Sequence, residues 1–278
     1  MIKFKLPLMA FSIILFIVAC SKKNDIETLE VTKTTRNNER TINRVEEISA
    51  RYLRSVELTT QDRLPGGRAY SYCDLVAQYG LYAAGLSFSQ ATANAARNSI
   101  ICAKNEGYSE IPELPETPIS EINPYEIYGV MHVDLLHEQL TTDPGATFED
   151  GVPNNENYII YAKDYLRENY GSTEEELAGL TLELLEESLT ILEEPSDYSM
   201  VTFVGNCRIS GELSDLEADI LEPYYEVMEN VPYAIFSEYS LLVEDEILAS
   251  DFTEAEKGLL LMSMAVARHD IGYWDHNK

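Results

Sequence analysis

Four histidines carry most of the chemistry this 278-residue chain could perform near neutral pH: His132, His137, His269 and His276. The first two lie in YGVMHVDLLHEQL, five residues apart. On a helix that spacing puts them about 140° around the axis, so the paired-histidine logic of a helical zinc motif is absent. His269 and His276 are seven apart and would share a face, with Asp270 and Asp275 beside them. A site joining His132 or His137 to that closing group would offer the imidazole and carboxylate ligands that suit zinc. The plainer alternative is histidines that pack between helices or sit on the surface. Acidic pairs such as Glu186/Glu187 and Glu193/Glu194 look like solvated helix faces, and none stands apart as an acid and base for glycoside hydrolysis. No Gly-x-Ser-x-Gly elbow occurs, and Ser71, Ser87 and Ser89 have no base that the sequence identifies. Asp143, Glu149, Asp150 and Asn154 cluster in TTDPGATFEDGVPNN without EF-hand spacing, which leaves at most a weak calcium site. The sequence therefore assigns no catalytic residue and no cofactor.

The elements that would position these residues read as helices. Asn123-Pro124-Tyr125-Glu126 has an N-cap, a proline at the first helical position and a capping glutamate. Thr173 with Glu176, Ser214 with Glu217, and Thr253 with Glu256 repeat the cap, each ahead of an apolar stripe. An amphipathic helix is expected from Thr41 to about Glu57, with Ile42, Val45, Ile48, Tyr52 and Val56 at helical spacing. Residues 70–104, rich in Ala, Gly and Ser, predict two close-packed helices meeting near Gly85–Ser89. Pro112, Pro115 and Pro118 make 109–120 an extended connector and the best internal boundary. Pro223 is expected to kink or split the helix that Ser214 begins. Only Met200–Ile209 (MVTFVGNCRI) has strand-like composition, enough for a loop or one arm of a short hairpin near 200–210. The expected fold is all-α, a multi-helix bundle.

Charge and aromatics narrow the partners. Residues 21–68 hold ten Lys and Arg against eight Asp and Glu, net +2, whereas 69–278 hold eight against forty, net −32. A field of that sign repels nucleic acid, so no nucleic-acid partner is expected. Solubility is its commoner meaning, although basic peptides or divalent cations would also be attracted. Eighteen tyrosines include the runs Tyr70, Tyr72, Tyr79, Tyr82 and Tyr224, Tyr225, Tyr233, Tyr239. Such rings stack on sugars, but more often they pack a core with the hydroxyl reaching outward.

The first residues read as an export signal. Lys3 and Lys5 precede an apolar run from Leu6 to Val18, too short for the roughly twenty residues that a membrane span needs. Ile17-Val18-Ala19-Cys20 resembles the lipobox of bacterial lipoproteins. The resemblance implies cleavage before Cys20, a diacylglycerol thioether on its sulfur and acylation, typically by palmitate, of its new amine. Two or three chains make a stable anchor where one does not. By analogy with envelope lipoproteins of Gram-negative bacteria, Ser21 favours the outer membrane, periplasmic or surface-facing. Residues 1–19 are then the signal peptide, 20–40 a polar lipidated tether and 41–278 the helical domain, held off an anionic membrane by its own charge. With Cys20 lipidated, Cys73, Cys102 and Cys207 remain; either all are buried thiols or one pair bonds, and Cys73–Cys102 is the more plausible disulfide. Tyr128-Gly129 with His132, together with Ser263–Trp274, is similar to uncharacterised helical envelope lipoproteins of Gram-negative bacteria. Members of that group often carry Asn where this chain has Val133. The resemblance implies a helical fold and no activity.

Three functions follow in order. The first is a lipid-anchored envelope protein, a non-enzymatic component that binds a protein or glycan partner or joins an assembly. The second is a metal-dependent hydrolase using His132, His137 and His269. The third is a surface helper that binds carbohydrate through tyrosines.

Overall fold

The computed structural model describes residues 36–55, 78, 81–82, 86–105, 114, 119–142, 148–149, 152–186 and 199–275. Among them the chain is all-α. A first helix, α1, covers residues 36–55. It is followed by α2 (Phe88–Asn105), α3 (Glu126–Thr141), α4 (Asn155–Tyr170), the short α5 (Glu174–Leu177) and α6 (182–186). The C-terminal part adds α7 (Met200–Ser210), α8 (Asp215–Asn230), α9 (Tyr233–Leu248) and α10 (Glu254–Asp275). The exception to helix is a minimal antiparallel ladder, β1 (Phe148–Glu149) against β2 (Val152–Pro153).

Two helices are buried on every side over most of their length. Each residue from Ser89 to Ala103 in α2 is buried, as is each from Leu260 to Trp274 in α10. A helix without a solvated face belongs inside a bundle. Between them α3 packs on both, α9 lies on α10, and α7 lies on α8. One apolar core joins α1, one side of α2 (Ala91, Ala95, Cys102), α7, α8, α9 and most of α10, with Val45, Ile48, Tyr224, Phe236 and Met264 inside it. A second joins α2 to α6 and ends on Tyr273 and Trp274 of α10. Helices α2 and α10 thus belong to both cores and tie them together.

Three capping boxes form as their spacing predicts. Thr173 with Glu176, Ser214 with Glu217 and Thr253 with Glu256 each exchange side-chain and backbone bonds across one turn. The fourth does not. Asn123 accepts from the Tyr125 amide, α3 begins at Glu126 behind an uncapped Tyr125, and the Glu126 side chain turns into the core. Four other expectations need correction. Residues 200–209 are helical, not strand, and among the described residues the paired strands are Phe148–Glu149 and Val152–Pro153. Helix α8 runs from Asp215 to Asn230 with Pro223 inside it, so the proline does not split it. Helix α1 already covers residues 36–40, which the polar composition assigns to the tether. Cys102 is disulfide-bonded, so the reading of all three cysteines as thiols fails; its partner, like Cys20 and Cys73, lies outside the described residues, and Cys207 is buried and free. Of the 109–120 connector, residues 114, 119 and 120 are described and are neither helix nor strand. No helix among the described residues is long and apolar enough to cross a membrane.

Candidate functional site

The chemistry-bearing residues converge where α3 crosses α10. Gly129 makes the crossing close: a methyl group there would stand 2.5 Å from His269 Cδ2 and 2.7 Å from the Ala265 carbonyl oxygen. With the backbones in contact, Glu126 and His132 of α3 project onto three consecutive residues of α10, Arg268, His269 and Asp270.

Two clusters result. In the first, Arg268 donates to both oxygens of Glu126, at 2.9 and 2.5 Å, and to Glu244 of α9 at 3.0 Å. His269 Nε2 lies 2.7 Å from Glu126 Oε1. Asn123 donates to Glu244 and to the Leu261 carbonyl, while Ser240 donates to Glu244 and meets the Tyr224 hydroxyl. Burial alone would raise the Glu126 carboxyl, but the bonds from His269 and Arg268 outweigh it and hold it at about 2. Burial lowers His269 below the usual imidazole value, with Glu126 opposing. Burial raises Glu244 despite Arg268. Arg268 gains more from its two carboxylates than burial costs it, so its value rises. The result is a desolvated ion pair, Arg268 with Glu126, extended by one further carboxylate and a neutral imidazole.

In the second cluster His132 Nε2 lies 2.7 Å from Asp270 Oδ1, and Ser99 of α2 donates to the same oxygen at 3.2 Å. Burial raises the Asp270 carboxyl, and His132, Ser99 and Trp274 pull it back in part. A carboxylate that orients an imidazole is half of a nucleophile-activating triad. The other half would be a hydroxyl or thiol on the second ring nitrogen, but His132 Nδ1 meets no hydrogen-bonding group among the described residues. Ser99 bonds the acid and not the base. Both His132 and Asp270 are 0% exposed, so a substrate would have to open the bundle to reach them.

The histidines proposed as metal ligands therefore separate. His132 goes to Asp270, His269 to Glu126, and His137 to the Tyr273 hydroxyl at 3.2 Å, while His276 lies outside the described residues. Among the described residues no three His, Cys, Asp or Glu side chains are placed to hold a metal ion. Of the acidic loop, Asp143 and Asp150 lie outside the described residues, and Glu149 accepts from Asn154, the N-cap of α4. Tyr82, Tyr224, Tyr225, Tyr233 and Tyr239 are buried, which removes them as a sugar-stacking platform, and Tyr70, Tyr72 and Tyr79 are outside the described residues. Burial and Glu212 push the Cys207 thiol up to about 12, far from a reactive thiolate.

Arg268, Glu126, Glu244 and Asn123 hold this region together, and the sequence marks none of them as a site residue: Asn123 and Glu126 read there as a helix cap. Arg97 of α2 is a second fully buried guanidinium, and no carboxylate pairs with it among the described residues. Its Nε and Nη2 donate to Asn155 Oδ1 at 3.0 and 2.6 Å, and Nη1 to Asn98 Oδ1 at 3.3 Å. Burial lowers it to about 10. At the surface, a groove of about 730 Å³ runs between α1 and the turn from α9 to α10, lined by Arg40, Arg44, Glu47, Glu246, Ser250 and Asp251. It is polar, of mixed charge and open. The chain matches no protein-family model, no curated protein and no solved structure.

Proposed function

We propose that the chain is a lipid-anchored protein of the bacterial cell envelope, sorted to the outer membrane by Ser21, whose helical domain binds a partner or joins an assembly and does not catalyse a reaction. The observation that supports a non-enzymatic role is the fate of the acid–base groups. His132 is paired with Asp270 and His269 with Glu126 inside the bundle, Glu126 and Glu244 are held by Arg268, and none of these five acid–base groups is more than 7% exposed. Groups used this way fix how helices cross; they do not meet a substrate. Lipidation of Cys20 fits the same picture and leaves Cys73 as the disulfide partner of Cys102, since Cys207 is free.

Two measurements test this reading. Cys20→Ser should abolish labelling by a palmitate analogue and release the protein from membranes, and full membrane retention of that variant would defeat the anchor. Metal analysis of the purified lipidated protein should find no stoichiometric zinc. Zinc bound one to one and lost in both His132→Ala and His269→Ala would favour the hydrolase instead.

A further inference from the structure

The surface of α1 is unlike the rest of the molecule. Its five arginines, Arg36, Arg40, Arg44, Arg51 and Arg54, are all exposed. At 3.6 residues per turn they fall within a sector of about 80°, while the buried Val45, Ile48 and Ser49 face roughly the other way. Glu47 shares the sector and pairs with Arg44, which also reaches Glu246. Arg36, Arg40 and Arg54 make no ion pair among the described residues. So one helix carries an arginine stripe on a chain whose residues 69–278 hold a net charge of −32. In such an acidic protein, basic side chains placed at random would be expected to pair with the surplus carboxylates.

We infer that this face of α1 lies on the anionic headgroups of the membrane that holds the lipid anchor, and so orients the domain with its acidic body outward. The inference rests on the anchor proposed above. Residues 20–35 can span no more than about 58 Å even fully extended, so a chain attached through Cys20 keeps α1 near the bilayer. The guanidinium fork matches phosphate oxygens in geometry as well as charge. The acidic body does not cancel the attraction, because the screening length is about 8 Å at physiological salt and only groups at the surface feel it strongly. A stripe on the helix next to the anchor is where contact is made, and the repelled remainder turns away.

The test uses the full lipidated protein with a donor dye on Asn43→Cys, an exposed position of α1, and a headgroup acceptor in vesicles. Flotation measures anchoring separately from energy transfer. Transfer should be higher on vesicles containing phosphatidylglycerol than on phosphatidylcholine alone. The gain should vanish near 1 M salt, where the screening length is about 3 Å. Replacing Arg36, Arg40 and Arg54 together by Glu should abolish the gain while the protein still floats. The same three positions changed to Gln, with helicity checked by circular dichroism, should reduce it and guard against a folding defect in the reversal. Wild-type protein that floats but transfers equally on both vesicles overturns the orientation and leaves the anchor standing. Protein that floats on neither overturns both. If charge reversal instead splits a dimer in sedimentation, the stripe serves a second acidic copy of the chain, and the membrane contact is wrong.

Discussion

Among the described residues two arginines are completely buried, and the problem of their charge is solved in opposite ways. Arg268 sits between Glu126 and Glu244, where helices α3, α9 and α10 meet, and its positive charge is matched by carboxylate. Arg97 sits between α2 and α4 with amide oxygens as its acceptors and, among the described residues, no carboxylate paired with it. Burial acts on both guanidinium groups, yet one rises and the other falls to about 10. The contrast separates two uses of a buried polar group. Around Arg268 the ions define a joint: three helices must arrive in one geometry for all the bonds to close. Around Arg97 the dipoles of Asn155 and Asn98 replace some of the lost water, which satisfies hydrogen bonds without neutralising charge. Removing a member of a matched cluster leaves opposite charge stranded, whereas removing an unmatched charge strands only neutral amides.

The largest expected effect is therefore at the matched site. Arg268→Met should cost about 3–5 kcal/mol, because Glu126 and Glu244 would be left buried without their cation. The pH dependence has a definite sign. In the native protein Glu126 sits at about 2 against an ordinary 4.5, so its contribution is present above pH 4.5 and is lost as the pH falls toward 2. Without Arg268 the burial of both carboxylates raises them, and the folded variant is stabilised by taking up protons. Urea unfolding followed by circular dichroism should then find a smaller loss at pH 5 than at pH 8. An equal, small loss at both values would mean that the cluster is not a desolvated ion pair.

Separating the helices should weaken the same joint by a purely steric route. At Gly129 an added methyl group meets the Ala265 backbone as well as the His269 ring, and neither can yield without moving α3 from α10. At Gly258 it meets the ends of the Phe88 and Tyr125 side chains, at 2.9 and 3.0 Å, which can rotate. Gly129→Ala should cost about 2–3 kcal/mol, in the upper range for overpacking, while Gly258→Ala should cost about 1 kcal/mol or less because alanine's better helix propensity offsets part of the clash. Thermal unfolding of the two variants decides it, and equal costs would show that the α3–α10 contact has slack.

The same two regions mark how far the sequence could be read. Local signals were legible: a capping box needs only residues three apart, so Thr173, Ser214 and Thr253 announce their helices unaided. Residues 200–209 carry two local signals that disagree. Their composition is that of a strand, but Met200, Phe203, Val204 and Cys207 recur at helical spacing, and Ser199 and the left-handed Gly211 cap the ends. Spacing prevails because it decides which side chains reach the core together. Glu126 was misread for the opposite reason. Its neighbours form a plausible cap, and the partners that draw it inward lie 142 and 143 residues away. The histidines were visible as a set, but their pairing with two different carboxylates depends on how α3 crosses α10, which Gly129 controls and no local pattern reports. Arg97, in a run of small residues, looks like a polar interruption, and its lack of a carboxylate is a tertiary fact.

The smallest expected effect is at Arg97. Methionine fills a similar volume and removes a charge that has lost its water without gaining an anion. The variant recovers that desolvation cost but strands the Asn155 and Asn98 carbonyl oxygens, each worth about 1–3 kcal/mol when left unsatisfied. The two terms oppose, so Arg97→Met should change stability by no more than about 1.5 kcal/mol, in line with the near-neutral outcome of replacing buried charge by apolar groups. The sharper variant pairs it with Asn155→Leu. Removing the stranded acceptor should make the double variant more stable than Arg97→Met alone, a coupling that a double-mutant cycle by urea unfolding measures directly. If Arg97→Met instead cost as much as Arg268→Met, and cost more at pH 8 than at pH 5, an anionic partner would have to face Arg97, and the two arginines would be the same device used twice.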